Sequence, residues 1–491
     1  KTGGNASFVV SAGDQIQTTK KKSPGKSEMT SEIEYTGYLS PDVLKSLPVA
    51  TTVGNHDADN ANYTYHFNTP NSSDLGSNGV VGGDYYFTYG NTLFMMLNTQ
   101  DTNAAEHKQF MEQAIAANPN CTWRVVTLHQ DIYGSAEHSN EPEITNLRYT
   151  LVPYFEANDV DVVLTGHDHA YSRTHILEGG HKTVEYTDDE FDAKLDKDMD
   201  AGENPATRYE APANISADSK EPADVAYLNY LNAVMDKDAV EDTEKGETVV
   251  NPDGILYMTA NSSSGSKYYD LVPRMQSYIA NRWQEDVPTY SVIDVTDNTF
   301  TINTYRTDND QKIDETFTIK KGVTEDIKSA SVGNVKNQIY TGKQIQPAIK
   351  VTLNGKTLKA GKDYTVTYTD NKNTGLAKAT INGIGKYTGT QTVTFKIVPK
   401  KAVLKTVKAG KSGTATVTIG KAGGKVSGYA IQVSTDSSFK KVTTYRTAKT
   451  TYTLKNLSKG KTYYVRVKAF TKVSDKNVYG AASKTIKVKA K

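Results

Sequence analysis

Short apolar runs that end in polar residues recur along the first third of the chain. Four of them are predicted to be buried β-strands: residues 8–14 (FVVSAGD), 92–99 (TLFMMLNT), 123–129 (WRVVTLH) and 160–167 (VDVVLTGH). Residues 104–117 and 146–157 place apolar side chains at helical spacing between these runs, with Asp101 as the potential cap of the first helix. This alternation predicts an α/β layered sheet, which further strands at 254–260, 289–295 and 299–305 extend.

Two stretches depart from that alternation. Residues 176–250 carry 20 acidic residues and few apolar runs, and we interpret them as an acidic insert, a partly disordered loop or lid with one helix-like piece near 222–236. Beyond residue 322 the pattern is all β, with short alternating strands separated by Asn and Gly turns. The sequence therefore predicts three domains, at 1–322, 323–399 and 400–491.

The last two predicted domains resemble known β-sandwiches. In residues 457–470 (LSKGKTYYVRVKAF), a leucine, a Gly-containing turn and Tyr463 at the start of an alternating strand have the layout of a tyrosine corner. Residues 400–491 therefore resemble a fibronectin type III domain, and residues 323–399 resemble the immunoglobulin-like repeats of bacterial surface proteins. Both resemblances imply all-β sandwich domains.

Charge divides the chain at the same boundary. Residues 323–491 hold 33 Lys and Arg against 6 Asp and Glu, about +27, whereas residues 1–322 hold 24 against 50, about −26. Lysine dominates the basic part and acts as a diffuse point charge. This favours adhesion to anionic cell-wall polymers or glycans over base-specific reading of nucleic acid. A solvated surface without a partner is the equally open alternative.

Three further features bear on where the protein acts. The single cysteine, Cys121, excludes an intrachain disulfide and a thiolate metal cluster. No apolar run approaches the roughly 18 residues of a membrane helix, and the first residues, KTGG, show no signal-peptide pattern. Scarce cysteine fits extracellular proteins of Gram-positive bacteria. We therefore expect an extracellular or cell-wall-associated protein whose native start is not contained in this sequence.

Metal-type ligands gather where the predicted strands end. They are Asp14 after the first run, Asn55 and His56 in VGNHD (53–57), His129 at the end of the third run, and His167 and His169 after the fourth. Because ligands collect at the carboxyl ends of strands in an α/β sheet, we expect these side chains to converge. A carboxylate with several imidazoles and no thiolate suits Zn, Mn or Fe, and such sets assemble two-metal hydrolytic centres.

The order of these motifs carries a family resemblance. GD, GNHD, a lone histidine after a strand and GHDHAYSRT (166–174) follow the order of calcineurin-like metallophosphoesterases, and most closely that of their purple acid phosphatase branch. The resemblance covers most of residues 5–320 outside the acidic insert. It implies a layered β-sandwich flanked by helices, two divalent metal ions and hydrolysis of phosphate esters.

The resemblance also implies roles for individual residues. The expected metal ligands are Asp14, which would bridge two metals, then Asn55, His129 and His167 on one metal and His169 on the other. His56 would contact the phosphoryl group, and His138 would donate a proton to the leaving oxygen. Tyr171 and Arg173 would line the cleft and bind substrate, with a packing role as the open alternative.

Two positions depart from the family pattern. The family has an Asp-containing motif on a strand upstream of the Gly-Asp pair, and only thirteen residues precede Asp14. The first strand is therefore apparently missing, and a second metal site that keeps Asp14 and His169 without that carboxylate should bind its metal weakly. Purple enzymes place a tyrosine three residues after the aspartate, where this chain has Gln17. The purple colour of an iron–phenolate centre is therefore not expected.

These observations lead to one expected function and two alternatives. We expect an extracellular dinuclear-metal phosphatase that hydrolyses phosphomonoesters with a metal-activated water. The same centre, with a more open cleft, would suit a phosphodiesterase or nucleotidase. A catalytically impaired cell-surface adhesion protein is the other alternative, and the missing first motif and the basic half of the chain motivate it.

Overall fold

A computed structural model describes residues 5–18, 25, 30–59, 61–180, 183–201, 215–216, 218–241, 248–265, 267–272 and 275–491, with the side chains of 196–201 excepted. The chain divides into two compact units, Lys1–Gly322 and Val323–Lys491. Among the described residues, no helix is both long and apolar enough to cross a membrane.

The first unit mixes strands and helices. Its strands are β1 (Val9–Ser11), β2 (Val49–Thr51), β3 (Tyr85–Tyr89), β4 (Thr92–Met96), β5 (Trp123–Thr127), β6 (Val162–Thr165), β7 (Tyr171–Thr174), β8 (Thr248–Val250), β9 (Leu256–Thr259), β10 (Ile279–Trp283), β11 (Thr289–Val295), β12 (Thr299–Arg306) and β13 (Phe317–Lys320). Its α-helices are α1 (Thr30–Tyr38), α2 (Asn62–His66), α3 (Ala104–Ala117), α4 (Pro142–Ala157), α5 (Asp188–Ala201) and α6 (Pro222–Val234). Short 3-10 turns span Asp42–Lys45 and Lys237–Ala239.

Two sheets face each other in this unit. Seven strands in the order β10-β7-β9-β6-β5-β4-β3 form the central sheet, and four strands in the order β11-β12-β13-β8 form the second sheet. Strands β4, β5, β6 and β9 are parallel neighbours, so their carboxyl ends lie along one edge of the central sheet. Strand β1 pairs in parallel with β2 as a separate two-stranded sheet.

Alternation along the central strands separates two hydrophobic cores. On β4, Leu93 and Met95 pack with side chains of α3 and α4, including Phe110 and Leu151. Phe94, between them, packs on the opposite face with residues of the second sheet. Burial of each such side chain contributes about 1.5–3 kcal/mol. The result is the layered β-sandwich with flanking helices that the sequence predicted.

Helix α3 spans the predicted residues, but its start differs in detail. Asn103, not Asp101, precedes the helix, and Oδ1 of Asp101 accepts a hydrogen bond from the Asn103 backbone N–H at 3.0 Å. Helix α4 begins earlier than predicted, at Pro142, because proline suits the first turn, where its missing N–H has no helical partner. The same helix continues through Pro153.

Helix α6 confirms the helix-like piece predicted near 222–236, whereas α5 corrects the loop or lid predicted for the rest of the acidic insert. Helices α5 and α6 pack through a small core of their own, which includes Phe191, Leu195, Tyr227 and Leu231. The acidic side chains within residues 188–192 of α5 are exposed, so a high acid content did not prevent a packed core. Residues 181–182, 202–214, 217 and 242–247 of this segment lie outside the described part of the chain.

A buried ion pair lies beneath α3. Nδ1 of His107 donates to Oδ2 of Asp84 at 2.7 Å, and its Nε2 donates to the carbonyl oxygen of Asp101 at 2.8 Å. Burial by itself would lower the pKa of His107, but these two acceptors outweigh burial and raise the pKa above 6.5. Burial also raises the pKa of Asp84 above 3.8, but Oδ1 of Asp84 accepts a further hydrogen bond from the backbone N–H of Asn98 at 2.8 Å. Because an acceptor oxygen faces each ring nitrogen of His107, we assign the pair as an imidazolium and a carboxylate.

The second unit consists of short strands. They are β14 (Glu325–Asp326), β15 (Ser331–Val332), β16 (Gln338–Ile339), β17 (Val351–Leu353), β18 (Lys356–Thr357), β19 (Tyr364–Thr369), β20 (Gly375–Gly383), β21 (Tyr387–Thr388), β22 (Thr390–Val398), β23 (Val403–Ala409), β24 (Ala415–Gly420), β25 (Gly428–Ser434), β26 (Thr443–Thr447), β27 (Thr451–Leu454), β28 (Thr462–Val473), β29 (Lys476–Tyr479) and β30 (Ile486–Lys489). One 3-10 turn spans Ile327–Ser329.

Two separate hydrophobic cores divide this unit. Val351, Ile381 and Phe395 belong to the core of strands β14–β22, and Ile431 belongs to that of strands β23–β30. In the second of these, the Oη atom of Tyr463 accepts a hydrogen bond from the backbone N–H of Ser458 at 3.0 Å. This contact is the tyrosine corner that the sequence predicted.

Candidate metal centre

Two of the expected ligands lie in left-handed backbone conformations. Asp14 follows β1 with a φ of 52°, and His167 follows β6 with a φ of 68°. Only a few per cent of non-glycine residues adopt positive φ, which costs about 1–2 kcal/mol. Such conformations collect at functional sites, where the surrounding structure holds them. Each one turns the chain sharply where a strand ends and leaves a polar side chain there.

Two glycines allow the loops after β1, β2 and β5 to meet. A Cβ atom on Gly13 would lie 2.4 Å from Nδ1 of His129, and one on Gly54 would lie 2.0 Å from Oδ1 of Asp14. Real Cβ atoms do not approach other heavy atoms so closely. The glycines of the Gly-Asp and Gly-Asn-His-Asp motifs are therefore explained by close contact between loops that are distant in sequence.

Lone-pair atoms converge on His129. Its Nδ1 donates to the carbonyl oxygen of Ala12 at 2.8 Å, which leaves Nε2 as the ring atom that faces the other expected ligands. That Nε2 atom lies 3.0 Å from Oδ1 of Asn55 and 3.2 Å from Nδ1 of His167. It lies 3.3 Å from Oδ2 of Asp14. One carboxylate, one amide oxygen and two imidazole nitrogens thus face one another.

Electrostatics favour a positive charge at this point. Burial by itself would raise the pKa of Asp14, but the His129 ring and the backbone N–H of His56 together outweigh burial and lower it to about 2. The Asp14 carboxylate in turn outweighs burial and raises the pKa of His129 above 6.5. Burial, together with the neighbouring His129 and His138 rings, lowers the pKa of His167 to about 2. Near neutral pH, Asp14 is therefore an anion and His167 is a neutral ring with a lone pair to share.

These residues fit a divalent metal ion. Oxygen and imidazole ligands lie about 2.0–2.2 Å from Zn, so two ligand atoms of one ion lie about 3 Å apart. The spacings around Nε2 of His129 have this size. Facing acceptor atoms repel unless a proton or a cation lies among them, and this donor set suits Zn, Mn or Fe.

A second metal position would have fewer ligands. Nδ1 of His169 donates to the carbonyl oxygen of Lys267 at 2.9 Å, which leaves Nε2 as its ligand atom. His169 lines the same cavity as Asp14. At this site, Asp14, His129 and His167 form a cluster whose ligand atoms lie within 4.8 Å of one another, and His169 does not belong to it. The position around His129 is therefore the better formed of the two.

His56 lies at the wall of this cavity. Its backbone N–H donates to Oδ1 of Asp14 at 3.0 Å. Its ring Nε2 lies 3.4 Å from Nε2 of Gln17, the residue that stands where purple enzymes have a tyrosine. The contact with Asp14 links the loop after β2 to the loop after β1, and the His56 ring stays open to a ligand in the cavity.

His138 lines the same cavity and has a carboxylate partner. Its Nδ1 donates to Oε1 of Glu141 at 2.5 Å, and its ring lies 4.8 Å from the ring of His167. Burial by itself would lower the pKa of His138, but the bond to Glu141 and the charge of Asp168 outweigh burial and raise the pKa above 6.5. The Glu141 contact was not predicted, although its spacing of three residues from His138 was a signal.

A buried aspartate orients the loop after β2. Asp57 accepts hydrogen bonds from Oη of Tyr35 at 2.8 Å and from the backbone N–H of Gly54 at 3.0 Å. Burial and the charge of Asp14 raise the pKa of Asp57 to about 7. Its place at the end of the GNHD motif was the signal for this supporting role, which the sequence analysis did not assign.

A second supporting carboxylate holds the loop that carries His138. Asp168 accepts hydrogen bonds from the backbone N–H groups of Ala136 and His138, each at 3.0 Å. Asp131, fully buried, lies beside it. Burial and the Asp168 carboxylate raise the pKa of Asp131 well above its usual value. The loop of His138 is thus tied to the motif of His167 and His169.

The structure corrects the substrate-binding role of Tyr171 and Arg173. Both lie on β7, buried against Asp314 between the two sheets. Oη of Tyr171 and Nε of Arg173 donate to Oδ2 of Asp314 at 2.7 Å and 2.6 Å. A buried charge needs a paired partner, so these side chains serve packing, the alternative that the sequence left open. The described residues that line the cavity include neither of them.

The cavity is also lined by two side chains that were not predicted from the sequence. The cavity has a volume of about 190 Å³, and its lining includes Lys267 and Tyr269 from the segment between β9 and β10. The surrounding stretch, NSSSGSKYYD, carries no metal or phosphate motif. Only the fold brings it to the carboxyl ends of the central strands.

Comparison with known proteins identifies parts of both units. Residues 2–171 match the family model for calcineurin-like phosphoesterases. The chain contains a calcineurin-like phosphoesterase domain. That match covers every expected metal ligand of the phosphoesterase domain and both expected catalytic histidines. Residues 404–485 match the fibronectin type III domain, whereas the immunoglobulin-like character of residues 323–399 stays a prediction.

The curated relatives are mycobacterial. Two uncharacterized proteins of Mycobacterium tuberculosis, from strains CDC 1551 and H37Rv, are each 26% identical to this chain over 173 residues. The matches cover 30% of this chain and 32% of each relative. The chain therefore spans about a third of the length of the relatives it matches.

Solved structures of low sequence identity are similar to parts of this chain. A purple acid phosphatase from yellow lupin seeds is 14% identical, with 64% of this chain and 53% of that chain covered and a TM-score of 0.36. The protein GAP50 of Plasmodium is 12% identical, with 64% and 78% covered and a TM-score of 0.36. A fibronectin type III-like protein from Clostridium thermocellum is 25% identical over 19% of this chain and 91% of its own, with a TM-score of 0.16.

Proposed function

We propose that the phosphoesterase domain hydrolyses phosphomonoesters with the help of divalent metal ions. Water adds to phosphorus, the bond between phosphorus and the leaving oxygen breaks, and the products are inorganic phosphate and an alcohol or phenol. The observation that supports this proposal is the convergence of lone-pair atoms from Asp14, Asn55, His129 and His167 beside the cavity that His56 and His138 line.

The chain offers ligands for one or two ions of the Zn, Mn or Fe type. Asp14, Asn55, His129 and His167 would hold one, and Asp14 with His169 would hold the other. Bound divalent ions supply positive charge for the phosphoryl oxygens and a water whose pKa is lowered toward neutrality.

The histidines of the cavity do the remaining work. The His56 ring can donate a hydrogen bond to a phosphoryl oxygen, where negative charge grows during the reaction. His138 has its Nδ1 proton held by Glu141, so its Nε2 is the atom that hands a proton to the leaving oxygen. Glu141 fixes the tautomer of His138 and favours its protonated form.

Turnover of paired substrates tests this proposal. The full chain, loaded with Mn or Zn, should release para-nitrophenolate faster from para-nitrophenyl phosphate than from bis-para-nitrophenyl phosphate, the corresponding diester. Asp14→Asn keeps the shape of the side chain but removes its charge, and it should lower kcat at least about 100-fold because a neutral amide holds a divalent ion more weakly than a carboxylate does. Asp297→Asn, an exposed position in the turn between β11 and β12, is the matched control and should leave kcat unchanged.

The possible outcomes separate the alternatives. Faster turnover of the diester would replace the phosphomonoesterase with the phosphodiesterase or nucleotidase. No turnover of either ester with Mn, Zn, Fe, Co or Mg would refute both enzymatic functions.

A metal domain without catalysis is the second candidate function. It is favoured by the small ligand set of the second position, where Asp14 and His169 are the ligands found among the described residues. Equilibrium dialysis with Mn decides the point. Two bound ions support the dinuclear enzyme, whereas one ion or none, together with absent turnover, supports an adhesion protein with a relic metal site.

For the location and partners, we propose an extracellular or cell-wall-associated protein whose residues 323–491 adhere to anionic polymers or glycans. Fibronectin type III domains are typical of extracellular proteins, and the charge of about +27 on residues 323–491 supports the anionic partner. Binding of the full chain to purified bacterial cell wall should fall strongly between about 0.05 M and 0.5 M salt, because salt screens exposed charges. Binding that persists at high salt would argue against an electrostatic partner.

A further inference from the structure

One wall of the cavity comes from the segment between β9 and β10. Nδ1 of His169 donates to the backbone carbonyl oxygen of Lys267 at 2.9 Å, so the residue that orients this histidine also presents a side chain to the cavity. The start of the segment is tied down as well, because Nδ2 of Asn261 donates to the carbonyl oxygen of Val287 at 3.1 Å. The wall is thus attached to the metal centre and to the strand-rich body of the domain.

The Tyr269 ring forms the apolar part of this wall. Its centroid lies 4.8 Å from the His138 ring, at an interplanar angle of 90°, and 4.7 Å from the His169 ring, at 41°. The tyrosine therefore stands between the expected proton donor and a metal ligand. A leaving group that receives its proton from His138 must pass next to this ring.

Lys267 places a cation at the rim. Its side chain is exposed, and Nζ lies 4.3 Å above the centroid of the Tyr269 ring, where it also donates to the Tyr269 hydroxyl. The described residues that line the cavity include no other Lys or Arg. In a unit whose formal charge is about −26, a polyanion is repelled at long range, but one lysine beside the cavity can still pair with one nearby anionic group.

The size of the cavity decides where a substrate meets these two residues. Its volume of about 190 Å³ is smaller than the roughly 300 Å³ at which pockets begin to enclose a drug-sized ligand. The cavity therefore holds the phosphoryl group and the atoms next to it. The rest of a leaving group must lie at the rim, against Tyr269 and within reach of Lys267.

We propose that Lys267 and Tyr269 form a leaving-group subsite that selects small phosphomonoesters whose leaving group carries a second anionic group, such as a carboxylate or a second phosphate. The Lys267 ammonium pairs with that anion, and the Tyr269 ring packs against the atoms between the anion and the scissile oxygen. This inference rests on the proposed phosphomonoesterase function, and it adds the class of substrate.

The test compares para-carboxyphenyl phosphate with phenyl phosphate. For each enzyme the measured quantity is the ratio of kcat/KM for the two esters, so the intrinsic reactivity of the esters cancels when variants are compared. Lys267→Met should lower this ratio about fivefold, the upper range for one exposed ion pair. Lys267→Glu should lower it further, because repulsion replaces attraction.

Lys108→Met is the matched control. Lys108 also lies above a tyrosine ring, with Nζ 5.8 Å from the centroid of Tyr154, but it belongs to α3, and the cavity lining does not include it. The ratio of kcat/KM for the two esters should be the same in Lys108→Met as in the wild type. A ratio that does not change in Lys267→Met and Lys267→Glu would overturn the subsite, and a fall in both variants but not in the control would support it.

A binding measurement separates failure of the subsite from failure of the proposed function. Calorimetric titration of the Mn-loaded chain with benzylphosphonate and para-carboxybenzylphosphonate requires no turnover. If the wild type hydrolyses neither ester but prefers the carboxylated phosphonate, and Lys267→Met loses that preference, the proposed function fails and the subsite stands. Equal affinities of the wild type for the two phosphonates would overturn the subsite, whatever the turnover.

Discussion

Replacing Gly54 with alanine tests whether close loop contact builds the metal centre. The new Cβ atom would lie 2.0 Å from Oδ1 and 2.3 Å from the backbone N of Asp14, whereas real Cβ contacts stay beyond 3.0 Å. The loops after β1 and β2 must therefore separate by about 1 Å at this point. Gly54 does not have a positive φ, so alanine adds no backbone strain and the effect comes from space alone.

The expected magnitude follows from that displacement. Overpacking of this kind costs about 1–3 kcal/mol of stability. A ligand displaced by about 1 Å costs about 100-fold in rate, and we expect Mn affinity to fall by a similar factor because Asp14 leaves the position facing Nε2 of His129. Gly37 offers the matched control. It lies in α1 with open space around it, and alanine there should stabilise the helix by up to about 1 kcal/mol.

The assay uses two readouts on the full chain. Both tryptophans, Trp123 and Trp283, lie in the first unit, so tryptophan fluorescence during urea unfolding reports on that unit alone. Calorimetric titration with Mn reports on the metal centre without any substrate. A Gly54→Ala variant that binds Mn as tightly as the Gly37→Ala variant and unfolds at the same urea concentration would refute the reasoning.

Three further predictions concern stability. Arg173→Met should lower the free energy of unfolding of the first unit, measured by tryptophan fluorescence, by about 3–5 kcal/mol, because it leaves the Asp314 carboxylate buried without its charged partner. Burial alone would raise the pKa of Asp314, but Arg173 outweighs burial and lowers it below 3.8. The wild type should therefore lose the stability that this ion pair contributes as pH falls through the lowered pKa. Asp314→Asn should show a weaker acid dependence of stability in urea titrations between pH 2 and 6. The raised pKa of His107 gives a pH dependence of the opposite direction. Its contribution to the free energy of unfolding is complete below pH 6.5 and is lost as pH rises through the folded-state pKa. A wild-type chain whose stability above pH 7 falls no more than that of His107→Gln would contradict the buried imidazolium. Tyr463→Phe should lower the free energy of unfolding of the second unit by about 1 kcal/mol. Its calorimetric transition should move to a lower temperature while the tryptophan unfolding curve stays unchanged. A shift of the tryptophan curve instead would contradict the assignment of the tyrosine corner to the second unit.

Local sequence carried much of the fold. The apolar runs at 92–99, 123–129 and 160–167 became β4, β5 and β6, because continuous apolar runs of this length suit strands that are buried on both faces. The helical spacing of apolar residues in 104–117 became α3. The acidic insert was predicted correctly in part. Its helix-like piece near 222–236 became α6, whose Tyr227 and Leu231 provide an apolar stripe, but α5 was missed because acidic residues dominate its composition.

The expected ligands show where local reasoning is sufficient. Asp14, Asn55, His129 and His167 were predicted because each follows a strand. The structure has these strands in two sheets, with Asp14 and Asn55 after β1 and β2 of the small sheet and His129 and His167 after β5 and β6 of the central sheet. Tyr171 and Arg173 show where it is not sufficient. They continue the same motif, but strand alternation turns them toward the second sheet, where Asp314 lies 141 residues from Arg173 in the chain.

Local properties of the chain were enough to predict the main buried strands of the central sheet, the chemistry of the metal ligands and the division of charge at residue 322, since hydrophobic pattern, residue type and net charge are read without the fold. The packing of sheets and loops was needed to add Lys267 and Tyr269 to the cavity and to remove Tyr171 and Arg173 from it. Lys267 reaches His169 across 98 residues of sequence, and Gly54 meets Asp14 across another long separation. Such contacts depend on how the sheets and loops pack together, which no local period records.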